Sequence, residues 1–306
     1  MVHVDNFSYG VLNPVLAYVM SCVGCFLGLR CTTRGNASRG IARAQWLILA
    51  TVAIATTGIW VMHFIAMLGF TIPGQAIVYS VPVTILSMLI AVVVVGAGLF
   101  IVGFSRKGTW PLLLGGLVVG CGVASMHYIG MAAIRAPDRL TYNPVLVALS
   151  VVIAVIAGTA ALWAAVRLDS AWSAFGASMI MGVAVSGMHY TGMAALRVYT
   201  APGHANAQGG VGAVTFLLPL ILGISSVAFI LSIVISLAPT AAEMVEEADL
   251  MARLSQPLRQ EPDPRPDRHN HRAGARPARE DPPEPGSLFR AHKPPREPEE
   301  KKGPWD

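Results

Sequence analysis

Seven stretches of this chain are each long and apolar enough to cross a bilayer, and that leaves little choice of fold. They cover roughly residues 12–29, 46–70, 77–103, 111–134, 144–166, 172–196 and 214–238. A hydrocarbon core about 30 Å thick takes about 20 apolar residues of helix to cross. Lipid offers the backbone no hydrogen bonds, so only helices or closed barrels span it, and runs this long without period-two alternation are helices. The joints between them are polar or carry Gly and Pro: Arg34-Gly35-Asn36, Pro73-Gly74, Lys107-Gly108, Ala136-Pro137-Asp138 and the longer loop 201–212. With 54% hydrophobic and 13% charged residues among 306, the composition agrees. The predicted fold class is all-α: a multi-pass protein of the cell membrane with seven transmembrane helices and the lipid bilayer as its first partner. Residues 1–10 lack a basic leader region and no small-residue cleavage site follows, so the first helix is expected to stay in the mature protein.

Arg and Lys set the expected orientation. The loops after helices one, three and five hold Arg30, Arg34, Arg39, Arg43, Arg106, Lys107 and Arg167, against Arg135, Arg139 and Arg197 after two, four and six. By the positive-inside rule the N-terminus lies outside and the C-terminus is cytoplasmic. The same bias accounts for most of the net charge of +5, and a nucleic-acid partner is not expected.

Within the apolar runs a short pattern occurs three times, as Met62-His63-Phe64-Ile65-Ala66-Met67, Met126-His127-Tyr128-Ile129-Gly130-Met131 and Met188-His189-Tyr190-Thr191-Gly192-Met193. Trp46, Trp110 and Trp172 each stand seventeen residues before one of the histidines. The repeat unit is therefore a pair of helices. Seventeen residues rise about 26 Å, so tryptophans at the inner interface put all three histidines at one depth, near the outer boundary of the core.

Residues four apart share a helix face. That pairs His63 with Met67, His127 with Met131 and His189 with Met193, while Met62, Met126 and Met188 are turned about 100° away, to flank the site or pack. Small residues at Ala66, Gly130 and Gly192 allow close helix approach. Imidazole suits copper, zinc, iron and nickel, and thioether selects cuprous copper. No Asp or Glu lies inside the predicted helices to favour zinc or ion-coupled transport. The expected metal ligands are His63, Met67, His127, Met131, His189 and Met193, with copper the best match. Tyr128 and Tyr190 are read first as interfacial anchors and second as hydrogen-bonding partners to a metal site. The alternative is haem held by two histidines or by histidine and methionine, in an electron carrier, or a copper-handling transport or assembly factor. Cys22 and Cys25 have redox or metal spacing but fall in an apolar helix, where small thiols pack readily.

Beyond residue 240 the character changes. Residues 241–254 read as an amphipathic helix beside the membrane, with Ala241, Met244, Val245, Ala248 and Met251 on one face and Glu243, Glu246, Glu247 and Asp249 opposite. Residues 255–306 hold twelve of the 21 prolines among mixed charges and are expected to form a disordered cytoplasmic tail without a second folded domain.

The three histidine motifs resemble the signature of the MHYT domain, a bacterial membrane sensor module, over residues 1 to about 240. Only the third copy, Met188-His189-Tyr190-Thr191, carries the full tetrapeptide. The resemblance implies seven helices with the motifs near the outer face, copper binding, and through it sensing of dioxygen, carbon monoxide or nitric oxide. Many members of the family carry cytoplasmic cyclase or phosphodiesterase domains. Here the output would instead pass through the helix and tail to a separate cytoplasmic signalling partner. No nucleophile with a base, carboxylate pair or phosphate loop is apparent, so no enzyme activity is expected. Orientation is directly testable: a fluorescent protein fused after residue 254 is expected to fluoresce, and alkaline phosphatase fused within 201–212 to be active, in intact bacteria.

Overall fold

The structure, a computed structural model, describes residues 4–73, 75–105, 108–135, 139–199, 210–237 and 241–254. Gly74, Arg106, Lys107, Ala136-Pro137-Asp138, most of the loop 201–212 and the tail 255–306 lie outside the described residues.

The seven apolar runs are all helical: α1 Leu12–Ala37, α2 Gly40–Leu68, α3 Val81–Phe104, α4 Thr109–Ala132, α5 Pro144–Arg167, α6 Ala171–Ala195 and α7 Ala213–Leu237. The expected all-α membrane bundle is borne out. An eighth helix, α8, covers Ala241–Leu254, and Met251 and Leu254 on it are exposed. Helix α1 runs past its expected end at residue 29, so Arg30 and Arg34 stand on its last turns rather than in a loop, and Arg43 stands on α2. The long aliphatic stems of arginine let such turns emerge from the apolar layer. Arg34 donates from Nη2 to the carbonyl of Ile235 near the end of α7 at 2.7 Å and lies 5.3 Å over the ring of Trp46. Arg43 lies 5.4 Å over the ring of Phe104.

Helices α1 to α6 close into a ring, each packed on its neighbours and α1 meeting α6. Helix α7 lies outside that ring, against α2 and α1. The spans differ accordingly, with 78% of the α2 window buried and 17% of the α7 window. Large apolar side chains such as Val93, Ile156 and Phe229 point outward, as lipid-facing residues do.

Lipid gives helices no hydrophobic push toward one another, so small residues and close contact hold the ring. Between α4 and α5, a methyl on Gly120 would meet the Val155 backbone. Between α1 and α2, a methyl on Gly24 would meet the backbone nitrogen and Cα of Gly58. Around that second contact α2 changes form: Ala53–Val61 is π-helical, a feature the sequence pattern does not announce. The π stretch ends two residues before His63. Its extra backbone per turn rotates the first motif relative to the preceding α-helix, and such segments are frequent at functional sites. The first tryptophan reflects the difference: Trp46 is partly buried, whereas Trp110 and Trp172 are exposed.

The histidine end of the bundle carries a small β cap that the helical reading did not anticipate. Strands β1 Val78–Tyr79, β2 Ile134–Arg135, β3 Arg139–Tyr142, β4 Leu196–Tyr199 and β5 Val211–Gly212 occupy the three connections there. They form an antiparallel sheet in the order β2-β1-β5 and a separate β3-β4 pair. The N-terminal segment joins through an Asp5–Thr71 bridge. Strands of two to four residues are too short to show an alternating pattern.

The Gly24 seam gives a stability test. Gly24→Ala is expected to cost about 1–3 kcal/mol by overpacking, lowering the detergent-solubilised melting temperature by about 2–10 °C. Gly176→Ala, whose new methyl would meet nothing within 4 Å, is expected to leave it unchanged or slightly raised.

Candidate metal centre

Near their C-terminal ends, α2, α4 and α6 each turn one histidine toward the axis of the ring. His63 Nδ1 lies 3.0 Å from His189 Nδ1 and 3.2 Å from His127 Nδ1. All three residues are buried, at 1%, 0% and 1% exposure for His63, His127 and His189. The rings stand nearly perpendicular in pairs, at 76° to 90°, with centroids 5.0 to 5.1 Å apart. The result is a three-bladed arrangement with the Nδ1 atoms inward.

Each blade is seated by its own motif and by the next. Phe64, Tyr128 and Tyr190 pack edge-on against the histidine before them, at centroid distances of 4.7, 4.9 and 4.9 Å. On the outer side, a methyl on Gly130 would lie 2.7 Å from His63 Nε2, and one on Gly192 would lie 2.4 Å from His127 Nε2. Gly130, three positions after His127, thus makes room for His63, and Gly192, three after His189, makes room for His127. Both tyrosine rings are partly exposed while touching the histidine before them. Tyr128 Oη shares a hydrogen bond with Ser150 Oγ at 2.7 Å, while Tyr190 Oη has no partner among the described residues and its ring stacks on Phe7 at 5.6 Å.

The methionines Met62, Met67, Met126, Met131, Met188 and Met193 are all buried in the surrounding core. Asn13 Nδ2 donates to the carbonyl of Ile65 at 3.0 Å and ties α1 to the first motif. Above the histidines, Tyr142 packs on Tyr128, and burial pushes its phenol up to about 12, with Tyr128 beside it adding to the effect. Burial likewise raises the phenol of Tyr79, which packs against Phe64. Cys22 and Cys25 are both free thiols, Cys25 buried and Cys22 half-buried. Sequence reasoning singled out the histidines, methionines and tyrosines but missed Asn13 and Phe7, which belong to no repeat.

What can such a cluster do? Each Nδ1–Nδ1 contact admits one proton between two lone pairs. His63 Nε2 and His127 Nε2 are buried without a hydrogen-bond partner among the described residues. A metal ion would accept all three Nδ1 lone pairs at once. Metal–imidazole bonds of about 2.0–2.1 Å put three coplanar ligand nitrogens about 3.5 Å apart, close to the separations seen. The ligand atoms lie within 4.8 Å of one another. His63, His127 and His189 could therefore hold a metal ion.

A ring of membrane helices with a buried three-histidine centre, built from a helix pair used three times, defines a class of polytopic membrane protein. The chain belongs to the MHYT family, whose model, described as a bacterial signalling protein N-terminal repeat, matches residues 57–116, 120–178 and 182–245. Among its relatives is the bifunctional diguanylate cyclase/cyclic di-GMP phosphodiesterase MucR of Pseudomonas aeruginosa. It is 37% identical over 193 residues, 61% of this chain and 28% of that protein. The cyclic di-GMP phosphodiesterase NbdA of the same organism is 37% identical over 199 residues, 63% of this chain and 25% of that protein. The signaling protein YkoW of Bacillus subtilis is 32% identical over 199 residues, 62% of this chain and 24% of that protein. The chain spans about a quarter of the length of these curated relatives. No solved structure matches.

The packing of one blade on the next is open to test. Gly192→Ala is expected to displace His127 and weaken metal affinity, read by competition with a chromophoric chelator, by about 10–100-fold, as disturbed supports of metal ligands do. Gly187→Ala, which meets nothing within 4 Å, is expected to leave it unchanged.

Proposed function

We propose that this chain is a sensory module of the bacterial cell membrane in which His63, His127 and His189 bind cuprous copper. The observation that carries the reading is the convergence of three buried Nδ1 atoms, one from each copy of the repeat. Neutral imidazoles suit several metals, and the six methionines buried around them tilt the choice toward cuprous copper. Met67, Met131 and Met193 are the thioethers placed to complete or shield the site, with Met62, Met126, Met188, Tyr128 and Tyr190 around it. Bound copper would supply a soft site for a diatomic gas ligand. The protein's part is to orient three imidazoles, exclude water through the aromatic and β cap, and keep the site apolar.

The inner-end arginines support an outward-facing centre and a cytoplasmic C-terminus. Relatives named as diguanylate cyclases and phosphodiesterases suggest that the change is read by a cytoplasmic signalling partner, with this chain sensing rather than catalysing. Haem is less well supported. A macrocycle would have to fit between two axial ligands, whereas the three imidazole rings here pack directly on one another.

Metal analysis and an optical spectrum on detergent-purified protein test the reading, beside a variant with His63, His127 and His189 all changed to Ala. Near-stoichiometric copper in the native protein, absent from the folded variant and without a Soret band, is the expected result. Failure to take up cuprous ion under anaerobic loading would overturn it.

A further inference from the structure

Between α2 and α3, in the half of the bundle away from the histidines, runs a groove of about 340 Å³ lined by residues between 48 and 52 of α2 and between 92 and 100 of α3. Its floor is the contact of the two helices at Gly96, where a methyl would lie 3.2 Å from Thr51 Cγ2. It opens outward, with Ile48 and Val93 on its walls 52% and 67% exposed. The Thr51 hydroxyl already donates to the carbonyl of Leu47 at 2.8 Å, and every other lining side chain is apolar. Eight residues from Val92 to Phe100 rise about 12 Å. The groove is therefore long, apolar and directed along the helices, as the acyl chains of a bilayer are.

Its lower end leads to a cation. Phe100 lines the groove and stacks on Phe104, with ring centroids 5.5 Å apart. Over the Phe104 ring, at 5.4 Å, stands the guanidinium of Arg43. Arg43 Nε is buried and has no hydrogen-bond partner among the described residues, a costly state for a charged donor. The ion pair found among those residues, Arg253 with Asp249, lies on α8, so no carboxylate there neutralises Arg43. A guanidinium laid on an aromatic face offers its planar fork of N–H groups to a phosphate.

We propose that this groove binds an anionic phospholipid, with one acyl chain between α2 and α3 and the phosphate on Arg43. The groove asks for an apolar chain and the arginine for a negative headgroup, and one lipid molecule carries both. Basic pockets between helices at a membrane face bind acidic headgroups in this way. A zwitterionic phospholipid has the same chains but brings its own cation toward the arginine, and free phosphate has no chain. The far end of the groove, at Val52, adjoins the π-helical stretch that leads to His63. The bound chain thus packs on the helix that carries the first motif. None of this depends on copper.

Full-length protein in detergent would be titrated with phosphatidylglycerol or with phosphatidylcholine of the same acyl chains, and bound lipid counted by native mass spectrometry. Phosphatidylglycerol is expected to bind about tenfold more tightly. Arg43→Gln is expected to abolish that preference, whereas Arg39→Gln, an equal loss of charge at the exposed N-cap of α2, keeps it. Ala97→Phe, which fills the groove, is expected to weaken phosphatidylglycerol binding by a similar factor, and glycerol 3-phosphate is expected not to compete. Equal affinity for the two lipids, equal effects of the two arginine changes, or competition by glycerol 3-phosphate would overturn the proposal. So would a lipid-free dimer, which would give the groove to a second copy of the chain. The two arginine variants decide the matter even where Ala97→Phe does not fold.

Discussion

Three imidazoles buried in a lipid-solvated bundle impose a demand that the rest of the structure is arranged to meet. A polar nitrogen withdrawn from water costs free energy unless another group satisfies it, and neither lipid nor the aliphatic neighbours can. The histidines answer by facing one another, which forces α2, α4 and α6 to converge at one end of the ring. Convergence that close needs glycine or alanine where the helices meet. It also needs a lid, which the strands and the aromatic residues Phe7, Tyr79, Tyr128 and Tyr142 provide.

The contacts around the triad form a near-cycle. His63 leans on Gly130 of the second motif and His127 on Gly192 of the third. Ala66 holds the matching position in the first motif. Two of the three blades are thus seated by the next motif, and a ligand bound to the centre would touch all three helices. The first copy is the irregular one, with Phe64 in place of tyrosine, alanine in place of glycine and a π-helical approach.

Much of the architecture was legible in the sequence for a simple reason: lipid removes most alternatives. Long apolar runs can only be helices, and the constant spacing from tryptophan to histidine put the three motifs at a common depth before any coordinates were considered. What escaped was whatever depends on tertiary context. The π stretch at Ala53–Val61 has no compositional mark and coincides with the close approach of Gly24 to Gly58. The cap strands are too short for periodicity to register. Helix α1 overran its hydropathic limit, and Arg34 on its extra turns finds a carbonyl and an aromatic face at the end of the bundle away from the histidines.

Helix α1 precedes the first repeat, yet it occupies the slot between α6 and α2 that threefold regularity would assign to α7. The seventh span is in this sense supernumerary: the ring is closed without it, and it rests on the outside against the irregular helix α2. Asn13 and Gly24 fasten the substitute, so the histidine centre draws its rigidity from α1. Helix α7 is fastened to α1 by the bond from Arg34 to the carbonyl of Ile235, and α8 follows it in the chain. The triad and the span that leads into α8 are thus separate pieces of the same bundle.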